Sequence, residues 1–343
     1  MNHLRHIKSE EILRSCSCPI SSPLGLQNNC DYFVSKTDDE YSDPSIIESS
    51  DDEDEVFIED FEFSEDFIIP ANYELRTIEV NKDIASIMQK EEMSMQITHG
   101  CIEDKQGMRI RELRYLMGDW LFQLSFAYPT NTETLFQCFS LMDRFLSKKS
   151  TITPRLQLIG CCCMWICSKV EFHTSASLEP LFKCCHGKFT REDFLLAEHE
   201  ILKAVDYCIQ SSTPYYFLRQ FYEKLTKNDT FFAIAAYYCE VSLLNVTLSS
   251  YRQSLIAYCS LRIASILVSD IDISPLNQYT KDFSNHDQND CILQLWKSGR
   301  SLIDKEKLGV CKKLSLRCKN DTAISLIVKG YDLVQPFTKL YNK

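Results

Sequence analysis

Residues 156–171 read LQLIGCCCMWICSKVE, an apolar run that carries no charge until Lys169. Placed on a helix, the run is apolar on nearly every face, which predicts a central helix surrounded by other helices. Gly160 and the small cysteines would let neighbouring helices cross close to it. The longest stretch without a polar residue covers about ten positions, too short to span a bilayer. We therefore expect no membrane-spanning segment and no membrane partner.

Apolar residues recur at helical spacing on both sides of this run. The first stripe consists of Leu113, Leu116, Met117, Trp120, Leu121 and Leu124, and the second of Leu135, Phe139, Met142, Phe145 and Leu146. A short helix is expected at 178–184. Thr190, followed three residues later by Asp193, has the pattern of a capping box and predicts the start of a fifth helix.

The helical scheme starts again after Pro214. The expected helices there are 215–225, 231–244, 254–269 and 291–302. Before the first stripe, Asp83 can cap a leading helix with Ile84 and Ile87 on one face. The sequence thus predicts an all-α fold of two successive bundles of about five helices each, joined at Pro214 and preceded by an N-terminal helix.

Charge and composition suggest four regions. Residues 38–66 contain fifteen Asp or Glu and no Lys or Arg, so residues 1–70 are predicted to be a disordered acidic tail. Residues 71–211 hold the leading helix and first bundle, 212–305 the second bundle, and 306–343 a basic, weakly patterned tail. The net charge of −11 comes from the acidic tail, and the mildly basic remainder is too weak a field to predict nucleic-acid binding.

The seventeen cysteines do not follow the paired spacing of a zinc site. Most lie inside apolar stretches, where cysteine behaves as a small hydrophobe, and we expect free thiols in a reducing compartment. A thiol enzyme or metal protein could use Cys161-Cys162-Cys163 or Cys184-Cys185-His186. Adjacent helix positions point about 100° apart and cannot converge on one ion, and Cys185 with His186 lacks a third group to orient the base. We predict no metal, no cofactor and no catalytic residue.

Ionisable residues inside apolar helices are the informative ones. Arg114 lies in the first stripe, Asp143 ends the second, Lys169 ends the central run and Glu198 lies within the fifth helix. Buried charges are tolerated when they are paired, so Arg114 and Asp143 would tie two helices together. Lys169 and Glu198 are open to two interpretations: a second internal pair, or a fork that reaches outward to another protein.

Several blocks of the chain resemble the cyclin family in order and spacing. They are LRYLMGDWL at 113–121, ETLFQCFSLMDRFLS at 133–147, LQLIGCCCMWICSKVE at 156–171, TREDFLLAEHEILKAVDYCIQSSTPYYFLRQF at 190–221 and, before them, DIASIMQKEE at 83–92. The resemblance covers roughly residues 81–305. It implies the all-helical cyclin fold and a regulatory, non-enzymatic subunit that binds and activates a cyclin-dependent protein kinase.

The resemblance also implies roles for individual residues. Lys169 and Glu198 match residues that contact the kinase around the helix carrying its catalytic glutamate, and Arg114 and Asp143 match the family's buried pair. Further positions that match kinase contacts are Ile84, Ile87, Val170, Glu171 and Phe172.

A second site is implied on the first helix, where similar cyclins bind Arg-x-Leu peptides of substrates or inhibitors. The matching residues are Leu113, Leu116, Met117, Trp120, Leu156 and Gln157. Chemically they would form an apolar slot with a Trp wall and an amide, although Met117 in particular is equally consistent with a core position. Gln123 stands where an acidic residue often meets the peptide's Arg, which would reduce affinity.

Some residues depart from the family pattern. The usual SKYEE is SKVEF here, so Phe172 replaces a carboxylate, and no RxxLxxxxN destruction motif is found in the tail. The pair Cys184-Cys185 and the Phe172-His173 departure resemble the divergent cyclin-O branch. The alternative is a cyclin-fold transcription or adaptor protein that binds proteins without activating a kinase. In either case we expect a protein of the nucleus, the cytoplasm or both.

Overall fold

The computed structural model describes residues 90, 92–128, 130–171, 177–269, 271–305, 307–317 and 322–330. All of them belong to one compact unit, residues 60–343. The predicted acidic tail lies outside the described residues, as do Ile84 and Ile87 of the leading helix, and Phe172. Where the chain is described it is mostly helical and contains no strand.

The first bundle contains helices of very different length. They are α1 (Cys101–Gln106), α2 (Ile110–Ala127), α3 (Thr132–Lys148), α4 (Leu156–Glu171), α5 (Glu179–Cys184) and α6 (Arg191–Ala204). The helix α6 begins at the expected Thr190, whose hydroxyl accepts from the Asp193 amide while the Asp193 carboxylate accepts from the Thr190 amide. This reciprocal cap satisfies two amides that would otherwise lack a partner at the helix start.

The central position predicted for the apolar run is confirmed. Every residue of α4 from Leu156 to Ser168 is buried, and α4 packs against α2, α3 and α6. Gly160 lies where α2 crosses α4, and a Cβ atom there would come 2.5 Å from Met117 Cε. Only a glycine therefore allows this crossing without displacing Met117.

The second bundle repeats the scheme after Thr213, whose hydroxyl caps the next helix. Its helices are α7 (Pro214–Tyr222), α8 (Asp229–Leu243), α9 (Gln253–Leu267) and α10 (Asn285–Ile303). Helices α8 and α9 pack together, and α7 and α10 each contact both of them. The expected pair of successive bundles is confirmed.

Residues assigned to a tail by the sequence analysis contain two further helices, α11 (Gly309–Arg317) and α12 (Thr322–Lys329). Helix α11 packs against both α2 and α8, so it contacts both bundles. Its start lies so close to α2 that a Cβ on Gly309 would come 2.4 Å from Phe122 Cβ. These helices are only nine and eight residues long, too short for a helical repeat to stand out in the sequence alone.

A buried acidic residue explains why α11 docks there. Glu240 of α8 is fully buried and pairs with Arg317 through two contacts of 2.6 and 2.7 Å, and with Lys313 at 3.3 Å. Burial alone raises the pKa of Glu240, but the two cations outweigh burial and hold that pKa below its ordinary value. Arg317 also donates to Thr132 Oγ1 of the first bundle at 3.3 Å.

Hydrogen bonds from the first bundle hold the segment that leads to α7. The guanidinium of Arg144 donates to the carbonyls of Cys208 and Ile209 at 2.6 and 2.5 Å. The Glu133 carboxylate accepts from Thr213 Oγ1 at 2.6 Å. Since Thr213 also caps α7, the first bundle helps to fix where the second one starts.

The residues before α1 are held by the second bundle. Residues 92–95 are helical, and the buried carboxylate of Glu92 accepts from the Ser254 amide at 2.6 Å and from Ser254 Oγ at 2.8 Å. Arg252 occupies the cap position of α9 without a side-chain cap of its own. Glu92, 162 positions earlier in the sequence, therefore provides the side-chain acceptor that a helix usually receives from its own N-cap residue.

The described cysteines are free thiols and nearly all are buried, although Cys208 is exposed. Burial raises the pKa of Cys161 and of Cys163 well above the ordinary value, which keeps them protonated and unreactive. Within the described ranges there is no group of three or more His, Cys, Asp or Glu placed to hold a metal ion. None of the helices described is both long and apolar enough to cross a bilayer.

Candidate functional site

Lys169 and Glu198 form an ion pair at the surface of the first bundle. Lys169 lies in the last turn of α4 and Glu198 in the middle of α6, and the Lys169 ammonium donates to Glu198 Oε1. Their side chains remain 33% and 20% exposed. The two interpretations left open by the sequence are therefore compatible, because the residues pair with each other and still face solvent.

A tryptophan lies beneath the lysine. Trp165 precedes Lys169 by one helical turn, and the Lys169 Nζ atom lies 3.3 Å from the centre of its ring. Trp165 itself is only 8% exposed. In the sequence Trp165 belongs to the apolar run, although the i, i+4 spacing of an aromatic and a lysine would have indicated this contact.

The end of α4 is fixed by the start of α3. Asn131 donates from Nδ2 to Glu171 Oε1 at 3.0 Å, while its Oδ1 accepts from the Thr134 amide at 2.7 Å. Asn131 is thus the N-cap of α3 and a partner of a predicted contact residue at the same time. Val170, between Lys169 and Glu171, is 42% exposed.

Two leucines of α6 face solvent near Glu198. Leu195, one turn before Glu198, is 46% exposed and Leu196 is 67% exposed. Nothing in the sequence singles them out, because leucines on an amphipathic helix are normally counted toward the core. Exposed apolar side chains beside a held ion pair are typical of a protein-binding surface. We call Lys169, Val170, Glu171, Leu195 and Glu198 the α4–α6 surface.

Arg114 and Asp143 form the predicted buried pair between α2 and α3. Arg114 donates from Nε to Asp143 Oδ1 at 2.7 Å and from Nη2 to Oδ2 at 2.9 Å, and the side chains are 2% and 6% exposed. Its Nη1 donates to the Leu243 carbonyl at the end of α8, at 2.6 Å. The pair therefore ties the second bundle to the first, which the sequence did not reveal.

The residues of the predicted peptide groove lie on α2 and α4, which pack against each other. Leu113, Trp120, Leu156 and Gln157 are buried, whereas Leu116 is 42% exposed. Gln123 is half-buried and donates to Asp119 Oδ2 at 2.9 Å, and Asp119 Oδ1 accepts from the Gly309 amide at 2.8 Å. The Gln123 amide is thus engaged inside the protein, and Leu116 is the most exposed apolar residue of this set.

Comparisons with known proteins identify the fold. The family model of the cyclin N-terminal domain matches residues 83–210, and that of the cyclin C-terminal domain matches residues 212–325. A solved structure of a viral cyclin from herpesvirus saimiri is similar with a TM-score of 0.53 at 16% identity, over 68% of this chain and 98% of that one.

Curated relatives point the same way. The chain is 26% identical over 192 residues to the G2/mitotic-specific cyclin-B3 of Gallus gallus, which covers 56% of this chain and 48% of that protein. It is 24% identical over 249 residues to cyclin-A2 of Xenopus laevis, covering 72% and 59%. The chain spans about half the length of the curated relatives it matches. Because the two family models together cover most of the sequence, the chain belongs to the cyclin family.

Proposed function

We propose that this protein is a regulatory subunit that binds and activates a cyclin-dependent protein kinase. The observation that carries the proposal is the α4–α6 surface, where a held but solvent-facing ion pair is bordered by exposed apolar side chains. The proposal assigns kinase contacts to Lys169, Glu198, Val170 and Glu171. It extends to Ile84, Ile87 and Phe172 by resemblance to the family, and places the complex in the nucleus, the cytoplasm or both.

The mechanism rests on rigidity. A protein kinase is active when its strand-three lysine pairs with the glutamate of a mobile helix and its activation loop is ordered. A partner that binds this helix better in the paired arrangement shifts the kinase toward the active state by that difference in affinity. The buried helix α4 packs directly against α6 and also against α2 and α3, which the Arg114–Asp143 pair joins, and this packing favours a single arrangement of α4 and α6. The subunit then needs no catalytic residue of its own.

We extend the proposal to substrate recruitment through Arg-x-Leu peptides. Leu116 would contact the peptide's apolar residue above a floor of Leu113, Trp120, Leu156 and Gln157. Because Gln123 replaces an acidic residue and donates to Asp119, the peptide's arginine would find a weak partner. We therefore expect lower affinity than a groove with a free carboxylate would give.

The central experiment replaces the ion pair and measures the kinase. Lys169→Ala combined with Glu198→Ala should weaken binding to a purified cyclin-dependent kinase, with each lost charged contact costing about 2–5 kcal/mol at a desolvated interface. The matched control is Lys227→Ala with Glu223→Ala, an ion pair of the same chemistry with a contact of 2.9 Å at an exposed site beyond α7. Binding is measured by titration, and activation by phosphate transfer to a peptide.

Three outcomes separate the possibilities. Weakened binding and activation in the Lys169/Glu198 variant, with a normal control, supports the proposal. Normal binding by that variant contradicts the assignment of these residues. Binding without activation by the unaltered protein contradicts the activator role and favours the adaptor alternative.

The groove needs its own variant. Leu116→Asp changes an exposed side chain and should abolish binding of an Arg-x-Leu peptide while kinase activation by the same protein is retained. Leu196→Asp, at a still more exposed apolar position on α6, serves as the control for peptide binding. Equal peptide binding by the Leu116 variant and the unaltered protein would exclude the groove.

A further inference from the structure

Lys169 is held from two sides before any partner arrives. Its ammonium donates to Glu198 on α6, and the same nitrogen lies 3.3 Å from the centre of the Trp165 ring, one turn earlier on α4. A cation over the face of an indole is attracted by the ring's quadrupole, and tryptophan is the strongest aromatic partner. The lysine side chain is one third exposed, so solvent screens these attractions only in part.

Two anchors matter because a free lysine side chain is flexible. An exposed lysine loses rotamer freedom when it is fixed in one geometry. If the side chain is already ordered in the free protein, the free-energy cost of ordering it does not reduce the affinity for a partner. The ammonium has three N–H donors, and one of them is used by Glu198. Because the lysine side chain is one third exposed, a further donor stays within reach of a partner.

The contact is not a by-product of a generally aromatic surface. Trp165 is 8% exposed, and its indole forms part of the buried face of α4. Filling the core at this position requires apolar volume, but it does not require a ring face turned toward an ammonium. The ring face beneath the ammonium therefore points to a second task besides packing.

We propose that Trp165 is a positioning residue, which holds Lys169 in its partner-binding geometry in the free protein. This inference rests on the proposed kinase-binding role of Lys169. Trp165 acts through Lys169 and does not itself contact the kinase, so its effect on binding should disappear when the lysine is absent.

The first test is made on the free protein and does not involve a kinase. Protons on the carbon next to the Lys169 ammonium lie above the indole and should show an upfield ring-current shift in the NMR spectrum. The shift should vanish in Trp165→Leu and persist in Trp165→Phe. An unshifted Lys169 in the unaltered protein would overturn the proposal.

The second test is a double-mutant cycle on kinase affinity, using Trp165→Leu, Lys169→Ala and the combination. Trp165→Leu should weaken binding about threefold to thirtyfold when Lys169 is present, and by less than about twofold when it is absent. Trp165→Phe, which keeps a ring face, guards against a general packing defect and should lose less affinity than Trp165→Leu. Tyr222→Leu is the control, because Lys227 lies 4.5 Å from that ring at another surface.

The cycle separates the positioning role of Trp165 from the kinase-binding role of Lys169. If Lys169→Ala weakens binding but the effect of Trp165→Leu is the same with and without the lysine, Trp165 only packs and the positioning role is overturned. If Lys169→Ala binds the kinase normally, the proposed function of the lysine fails and the proposal falls with it. A coupled cycle together with the ring-current shift supports both.

Discussion

The two ion pairs of the first bundle differ in what surrounds them. Arg114–Asp143 and Lys169–Glu198 each join residues 29 positions apart, and each links two helices. The first pair is 2% and 6% exposed, the second 33% and 20%. The same chemistry therefore serves the fold in one place and remains available to a partner in the other.

The choice of cation follows the environment. Arg114 places a planar fork against both carboxylate oxygens and has a further donor for the Leu243 carbonyl, which satisfies a charge that has lost its water. Lys169 presents a compact ammonium with donors to spare. Burial with full hydrogen bonding thus indicates a structural pair, whereas partial exposure with unused donors indicates a contact site.

The largest expected effect is at the buried pair. Arg114→Met should reduce the free energy of unfolding by about 3–5 kcal/mol, because Asp143 is left charged, buried and unpaired. Urea denaturation followed by circular dichroism measures the loss. The double variant Arg114→Met with Asp143→Leu should recover part of the stability, since no unpaired charge is then left at this site. A double variant less stable than the single one would contradict this account.

The second expected effect is at Glu240, a buried carboxylate that is paired with two cations instead of one. Arg317→Met should cost about 2–3 kcal/mol of unfolding free energy, less than Arg114→Met, because Lys313 still contacts the buried carboxylate. The measurement is urea denaturation under the same conditions. Lys312→Met, which changes an exposed lysine of the same helix, is the control. An Arg317 variant as stable as this control would show that α11 is not anchored by Glu240.

Glu133 should make the free energy of unfolding depend on pH. Burial raises its pKa from 4.5 to about 7, against hydrogen bonds from Thr213 and Gln137 that lower it. Because the folded-state pKa is higher than the unfolded one, ionisation destabilises the fold as pH rises from about 4.5 to about 7. Glu133→Gln should remove this dependence and gain roughly 1–3 kcal/mol relative to the unaltered protein above pH 7.

Urea denaturation at a series of pH values from 5 to about 8 measures this difference. The control is Glu223→Gln, which changes a glutamate whose side chain is 55% exposed. A stability difference between Glu133→Gln and the unaltered protein that stays constant over the whole range would be inconsistent with the raised pKa of Glu133.

The smallest expected effect on stability is at the surface pair. Lys169→Met should change the free energy of unfolding by no more than about 1 kcal/mol, because Glu198 is partly exposed and can be solvated once the lysine is gone. The same urea denaturation measures it beside Arg114→Met. A loss as large as that of the Arg114 variant would remove the distinction between the two pairs.

The sequence predicts most of the fold because its signals are local. The apolar run of α4, the Thr190–Asp193 cap and the stripes of α2 and α3 each depend on residues a few positions apart. The Arg114–Asp143 pair was predicted because charges in apolar stripes need partners. The same rule applies to Glu240 in the apolar helix α8, whose need for a partner was also visible in the sequence.

Long-range contacts could not be predicted in this way. Nothing near Glu92 in the sequence indicates that it caps α9, and nothing near Gly309 indicates contact with Phe122. The candidate site divides similarly. Lys169 and Glu198 follow from charge and resemblance, but the exposure of Leu195 and Leu196 depends on how α6 is rotated against α4. That rotation is set by tertiary packing rather than by the residues of α6 alone.

The Glu92–Ser254 contact has a consequence for biosynthesis. Glu92 leaves the ribosome 162 residues ahead of its partner, which at ordinary elongation rates is roughly 10–30 s. During that interval the first bundle can assemble, but the carboxylate of Glu92 has no amide to accept from. The Glu92 contact with Ser254 therefore forms late during synthesis. A ribosome stalled before residue 254 would carry a nascent chain in which this contact has not formed.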